Sequence, residues 1–493
     1  MNWLCAFRAT ATLIASVAVV TAGNVAVAAT TLGFDDARHL LARTSFAATP
    51  AEIERFAGMT RERAVDTLLA WTEKPRITPP PAWVQEPVLA ASKLRAMGDE
   101  ERRAFQRQNN VRGLEMRGWW LQEMATTSSP LTEKMVLFWH NHFVSSQQKV
   151  RQPQYLYRQN LIFREHALGN FGAMLHAVAR DPAMVIYLDN ASNRKGQPNE
   201  NFAREVMELF TMGEGRYSER DIKEAARAFT GWSIDGETGA FMFRPQAHDN
   251  GEKTVLGKTG FIDGGGVLDI LLAQPYTAEF IVGKLWREFV SAEPDPVEVK
   301  RIAGVFRDSG YNVRSALRAM LLSDAFYAPP YRATLVKSPV ELVVGTLRQF
   351  QFTTGDVQPF ALVVAQLGQN LFSPPNVKGW PGGNAWINST TLLARKQFLE
   401  RLFSAAEMRP AGVMINAPAV RPAPAPENLQ QRLQRAIADV QFDSEQWLKA
   451  SGGAPEQVQR VVLAMAPQHA VPSSASALEL ARRLTQDPVY QLK

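Results

Sequence analysis

"SPLTEKMVLFWHNHF", residues 129–143, has the pattern of a helix with one broad apolar face and two histidines near its end. Ser129 is a favourable N-cap, and Pro130 suits the first helical position. At 100° per residue the large apolar side chains fall on one arc. They are Leu131, Met135, Val136, Phe138, Trp139 and Phe143. The stretch therefore predicts a helix that packs into the core of a helical protein.

The two histidines of this helix point in different directions. His142 falls near the middle of the apolar arc, and His140 lies about 160° away from it. Two such side chains cannot bind one metal ion, because an H-x-H pair chelates from an extended strand. We interpret His142 as an inward-facing side chain. It is either a core histidine held by hydrogen bonds or a ligand or acid–base residue.

Helical periodicity recurs along most of the chain and predicts a mainly α, multi-helical globular fold. The exception is a small β-hairpin insertion near 232–262, where the pairs Asp235-Gly236 and Asn250-Gly251 favour turns. We expect a main helical domain over 29–409, a Pro/Ala linker over 410–427, and a C-terminal helical segment over 428–493 that packs on the main domain.

Residues 1–28 are typical of a secretory signal peptide. Arg8 is their only charge, an Ala/Val-rich apolar run follows, and Ala26 and Ala28 fit an A-x-A cleavage site. We expect export through the general secretory route to the periplasm or the extracellular space. No later stretch approaches 18 apolar residues, so the mature chain should have no membrane span.

Composition excludes several classes of function. The only cysteine, Cys5, lies in the signal peptide, so the mature chain has no disulfide and no thiolate site. The 54 basic residues are scattered among 48 acidic ones, which argues against nucleic-acid binding. The chain lacks HExxH, ExxH, GxSxG and Walker motifs, so standard zincins, ferritin-type di-iron proteins and P-loop enzymes are excluded.

The stretch "NENFAREVMELF", residues 199–210, predicts a helix with two carboxylates on one border of its apolar stripe. Glu205 and Glu208, three residues apart, repel each other unless water, an arginine or a bound cation intervenes. Arg204 has ion-pair spacing to Glu208 and to Glu200. The helix is therefore either a salt-bridged surface element or part of a functional cluster.

Two further loops carry candidate residues. His248 and Asp249, in "PQAHDNGEKT", can act as ligands or as a base, or they can simply shape the following turn. Trp380 and Trp386, in "KGWPGGNAW", can stack on sugar rings or anchor their loop in the core.

Long stretches of the chain resemble the bacterial domain-of-unknown-function family 1800, from about residue 34 to the end. The similar stretches are "FWHNHF", "MVIYLDNASNRKGQPNENFAREVMELFTMGEGRYSERDIKEAARAFTGW", "HDNGEKTVLG", "NVKGWPGGNAWIN" and "QDPVYQL". The resemblance implies an exported, mostly helical protein and assigns no catalytic residues. It also suggests a partner, a co-encoded exported sulfatase-like protein, and through it a link to envelope or extracellular polymers.

Two hypotheses about function remain open. In the first, the protein is a hydrolase-like enzyme that acts on an envelope or extracellular polymer, with Glu205, Glu208 and His142 as catalytic residues. The site is either metal-free or built around a divalent cation that activates water. The metal ligands would be His142, Glu205, Glu208, His248 and Asp249. In the second, a non-enzymatic envelope protein binds a glycan or protein partner, with Trp380 and Trp386 stacking on the ligand.

Overall fold

The fold is given by a computed structural model that describes residues 30–73, 77–408, 428–472 and 474–493. The predicted signal peptide, 1–28, and the predicted linker, 410–427, lie outside these residues. Within the described ranges, no helix is both long and apolar enough to cross a membrane.

Helices dominate the first half of the chain. Their bounds are α1 Phe34–Thr44, α2 Pro50–Ala57, α3 Arg61–Ala70, α4 Ala91–Ala96, α5 Asp99–Thr126, α6 Pro130–His142, α7 Pro153–Glu165, α8 Phe171–Ala179, α9 Pro182–Tyr187, α10 Asn201–Met207 and α11 Glu219–Ala228. Four short strands follow: β1 Trp232–Ile234, β2 Phe241–Phe243, β3 Lys253–Val255 and β4 Lys258–Gly260.

The second half is again helical. Its helices are α12 Gly264–Leu272, α13 Pro275–Phe289, α14 Pro296–Asp308, α15 Val313–Leu321, α16 Asp324–Tyr327, α17 Pro339–Gln349, α18 Ala361–Gln366, α19 Ser389–Met408, α20 Leu429–Ala438, α21 Ser444–Ala450, α22 Pro455–Val462 and α23 Ala477–Gln486. The strands pair antiparallel as β1–β2 and β3–β4, in two separate sheets. The predicted mainly α class with a small β insertion is confirmed.

Helix α6 is more deeply buried than its sequence pattern predicts. Its polar residues Glu133 and Lys134 are almost inaccessible to solvent, as is the core residue Trp139. Both charges are compensated: Arg164 donates two hydrogen bonds to Glu133 at 2.8 Å, and Lys134 pairs with Glu341. A one-sided helix was expected, but ion pairs from other helices allow its polar side to be covered as well.

The helix predicted over residues 199–210 differs from a regular α-helix at its C-terminal end. After α10 the chain continues as a π-helix over Glu208–Met212, and it stops at Gly213, whose φ is 81°. The Thr211 hydroxyl donates to the carbonyl of Val206, five residues earlier, at 2.6 Å. The wider turn and the helix end leave the last carbonyl oxygens, those of Leu209 and Phe210, available to other parts of the chain.

Candidate functional site

His140 lies in an aromatic cage. Its ring centroid is 5.4 Å from that of Trp120, 5.2 Å from that of Phe372 and 5.6 Å from that of Trp380. Its Nε2 atom makes no hydrogen bond to the part of the chain that the structure describes. Burial lowers the pKa of His140 to about 3, so the ring is neutral at physiological pH.

Asn141, the next residue, fastens the loop 378–386. Its Oδ1 atom accepts a hydrogen bond from the backbone N–H of Trp380 at 2.7 Å. Gly379 has a φ of 85°, and a Cβ atom there would lie 2.2 Å from the same Oδ1. This close approach requires glycine at position 379.

We expect Gly379→Ala to lower the free energy of unfolding by about 2–4 kcal/mol, because it adds a steric clash to an unfavourable backbone conformation. Urea denaturation measures the loss. The matched control is Gly196→Ala, since Gly196 has a φ of 82° and no atom within 4 Å of the added Cβ. Equal losses in the two variants would contradict the proposed contact with Asn141.

His142 ties α6 to the end of the π-helix. Its Nε2–H donates to the carbonyl of Phe210 at 3.1 Å, and its Nδ1 accepts from the Lys284 ammonium at 3.0 Å. Lys284 also donates to the carbonyl of Leu209 at 3.1 Å. Burial, and secondarily Lys284, hold the pKa of His142 well below its usual range. These contacts match the interpretation of His142 as a core histidine held by hydrogen bonds.

A cleft with a volume of about 440 Å³ opens beside His142, between α6, α13, the start of α17 and the loop 378–386. Its lining is strongly charged. Five cationic side chains contribute to it: Lys134, Lys284, Arg287, Lys378 and Lys493. Only two acidic ones do: Glu288 and Glu341. The excess of cations gives the cleft a positive potential.

Four of these charges compensate one another. Lys134 and Lys493 both pair with Glu341, and Glu288 lies 3.6 Å from Lys134 and 3.8 Å from Lys493. The two lysines hold the pKa of the Glu341 carboxyl below its ordinary value, against the effect of burial. The positive potential of the cleft therefore comes from the other three lining cations, and mainly from Lys284 and Arg287, because Lys378 pairs with Glu214 outside the lining.

Those three cations differ in their surroundings. Arg287 is exposed on α13, and Lys378 is an exposed residue of the loop 378–386 whose ammonium lies 3.3 Å from the Glu214 carboxylate. Lys284 is only partly exposed, and burial lowers its pKa to about 8. Arg287, one turn further along α13, is the second cause of this lowered pKa.

Glu205 and Glu208 are not among the residues that line this cleft. Glu208 accepts a hydrogen bond from the Tyr217 hydroxyl at 2.8 Å. Arg204 pairs with Glu219 at 2.8 Å and Glu200 at 3.3 Å rather than with Glu208. The pKa of Glu205 is raised, first by burial and then by the neighbouring Glu208.

His248 and Asp249 shape the turn in which they lie. His248 Nδ1 donates to the carbonyl of Thr230 at 2.8 Å, and Asp249 pairs with Arg227 at 2.8 Å. Asp249 also accepts from the backbone N–H of Gly251 at 2.9 Å. Arg227 lowers the pKa of Asp249 to about 2.

The structure does not assemble the predicted divalent-cation site. Across the described ranges, no group of three or more His, Cys, Asp or Glu side chains could hold a metal ion. The predicted ligands are instead engaged with neighbours or dispersed: His142, Glu205, Glu208, His248 and Asp249. Contacts with Phe210, Thr230 and Arg227 hold His142, His248 and Asp249, respectively, and helical spacing does not reveal them.

Trp380 and Trp386 line the cleft, but they offer little surface to a ligand. They are 3% and 7% exposed, respectively, and belong to the hydrophobic core. Trp380 packs against His140 with its backbone held by Asn141. Both side chains therefore anchor the loop 378–386, which was the alternative to sugar stacking.

Sequence analysis missed the residues that give the cleft its charge. Lys284 and Arg287 are three residues apart on α13 and share one face, which was a visible signal. Such a pair is common on solvated helices, so the spacing alone does not identify a site. Nothing in the sequence indicates that Lys378 lines the same cleft as Lys284 and Arg287.

Comparison with known proteins places nearly the whole chain in one family. The family model described as "Protein of unknown function (DUF1800)" matches residues 39–492. No curated protein and no solved structure matches the chain.

Proposed function

The chain belongs to the DUF1800 family of proteins of unknown function. We propose that it is an exported protein whose cleft binds a negatively charged ligand. One observation carries the proposal: Lys284, Arg287 and Lys378 line one cleft, and the acidic side chains that line it are already compensated by Lys134 and Lys493. Of the three cations, only Lys378 has a carboxylate partner among the described residues, the exposed Glu214. A ligand that brings carboxylate, sulfate or phosphate groups would balance the remaining charge.

The size of the cleft limits the ligand. A volume of about 440 Å³ lies at the lower end of the range for small-molecule sites. It suits a small anion or the charged end of a longer chain. For an exported protein we propose the acidic end of an envelope or extracellular saccharide. The sulfatase-like partner that the family resemblance suggests would act on ligands of the same chemistry.

We expect Arg287→Ala and Lys378→Ala each to weaken the binding of a uronic-acid oligosaccharide about tenfold, because each removes a charge-assisted contact. Titration calorimetry at low salt measures the change. Both side chains are exposed, so neither variant should unfold the protein. Lys258→Ala is the matched control, since Lys258 is an exposed lysine on β4, outside the residues that line the cleft.

A neutral oligosaccharide of the same length serves as the second ligand. We expect it to bind weakly, and we expect binding of the acidic one to weaken as salt is added. Equal affinity for both saccharides, or acidic-saccharide binding that is the same in all three variants, would contradict the proposal.

Hydrolysis by Glu205, Glu208 and His142 stays a prediction from the sequence. Of these residues, Glu205 has the property that a general acid needs, since burial and Glu208 raise its pKa. Its carboxylate lies outside the lining of the cleft, so the proposed binding site does not depend on it.

A further inference from the structure

Lys284 is held in the cleft by neutral groups instead of a carboxylate. Its ammonium donates to His142 Nδ1 at 3.0 Å and to the carbonyl of Leu209 at 3.1 Å, and it lies 4.9 Å from the centre of the Phe280 ring. Among residues 30–73, 77–408, 428–472 and 474–493, no carboxylate lies within ion-pair distance of it. Its charge is therefore poorly compensated.

Three features of this lysine suit covalent chemistry with a carbonyl compound. It lines a cleft and is partly exposed, so a small molecule can reach its amine. Its hydrogen-bond partners, His142 Nδ1 and the carbonyl of Leu209, are neutral, so no carboxylate stabilises its protonated form. Burial and Arg287 lower its pKa, which increases the share of free amine near neutral pH.

We propose that Lys284 forms an imine with a small aldehyde or ketone that also carries a carboxylate. The inference rests on the proposed anion-binding cleft for the recognition of that carboxylate. Arg287 lies one helical turn from Lys284 on the same face of α13, and Lys378 lines the same cleft. Arg287, joined by Lys378 when the acid group replaces its exposed partner Glu214, can therefore bind the acid group while the amine reaches the carbonyl carbon.

The reaction requires proton transfer but no external oxidant or reductant. The Lys284 ammonium releases a proton to solvent, and the free amine attacks the carbonyl carbon. One amine hydrogen moves to the carbonyl oxygen, which gives a carbinolamine. The nitrogen keeps its other hydrogen, and the carbinolamine hydroxyl takes up one proton from solvent and leaves as water. One ammonium ion and one carbonyl compound thus give one protonated imine and one water.

A purely structural role for Lys284 makes a different prediction. Its two hydrogen bonds fasten the C-terminal end of the π-helix, where a cation is favourable. A lysine with only that role would stay protonated and would react with carbonyl compounds no faster than an exposed lysine.

Reductive trapping on the full-length chain distinguishes the two roles. The protein is incubated with glyoxylate and sodium cyanoborohydride, and the labelled lysines are located by peptide mass spectrometry. We expect Lys284 to be labelled about tenfold faster than the exposed Lys223 and Lys258. Labelling of Lys284 at the rate of those two lysines would overturn the proposal. The labelling rates are measured on the wild-type protein, so the test does not depend on the folding of a variant.

Three further measurements separate this inference from the proposed function and test its substrate class. Glycolate, which has the acid group but no carbonyl, is titrated by calorimetry. If glycolate binds and Lys284 is not labelled, the imine proposal is overturned and the anion site stands. If glycolaldehyde, which lacks the acid group, labels Lys284 as fast as glyoxylate does, the assigned substrate class is overturned. Competition of the uronic-acid oligosaccharide against labelling of Lys284 supports both proposals.

Discussion

We expect Glu341→Gln to lower the free energy of unfolding by about 3–5 kcal/mol, because the only counter-charge left to two buried ammonium groups is the partly exposed Glu288, 3.6 Å or more away. The Lys134, Lys493 and Glu341 side chains are 1%, 6% and 6% exposed, respectively. Water cannot replace the lost carboxylate in such a position. Glutamine keeps the size of the side chain, so the loss reports the charge and not a cavity.

The size of the effect is checked by urea denaturation, with the midpoint falling and the slope unchanged. Glu288→Gln is the matched control. Glu288 belongs to the same cluster, but its side chain is 35% exposed and 3.6 Å or more from either lysine, so its loss should cost about 1 kcal/mol or less. Similar losses of stability in the two variants would show that the buried ion pairs of Glu341 do not stabilise the protein more than the exposed Glu288 does.

We expect the protein to lose stability steeply as the pH falls below about 6.5. His39, His140 and His142 are buried, and burial lowers the pKa of His39 and His140 to about 3 and that of His142 well below its usual range. The unfolded chain takes up protons on these histidines near pH 6.5, and the folded chain does not. Each buried histidine therefore lowers the free energy of unfolding by about 1.4 kcal/mol for every pH unit below 6.5, until its folded-state pKa is reached.

Asp181 acts in the opposite direction. Burial raises its pKa to about 7, so the folded chain takes up a proton there before the unfolded chain does, and this offsets the effect of one histidine. Unfolding free energies at pH 7, 6 and 5 give the slope. We expect His140→Leu to make the slope shallower and Asp181→Asn to make it steeper. A change in the same direction for both would contradict these assignments.

The helical fold could be predicted from periodicity, because helix formation depends on neighbours three and four residues apart. The α6 pattern, for example, placed both its helix and the inward direction of His142. Periodicity did not predict burial where a charged side chain is covered by a partner that is distant in sequence. Glu133 and Lys134 look like a solvated face until Arg164 and Glu341 cover them.

Most residues of the candidate site could not be predicted from the sequence. Glu205 and Glu208 attracted attention as a carboxylate pair, yet the cleft is built from cations on elements far apart in the chain. Lys284 and Lys378 come to one opening only through the packing of α13 and the loop 378–386 on α6. The π-helix contains a side-chain hydrogen bond from Thr211 to the carbonyl of Val206 that no residue spacing indicates.

The junction formed by Asn141 and His142 has a consequence for the order of folding. These two adjacent side chains bond to partners that are 68, 142 and 239 positions away along the chain. Closing loops of that length is slow and entropically costly, so such contacts form after local helices have appeared. The cleft should therefore be among the last parts of the molecule to become ordered, and a chain that has only recently collapsed would have its helices without its binding site.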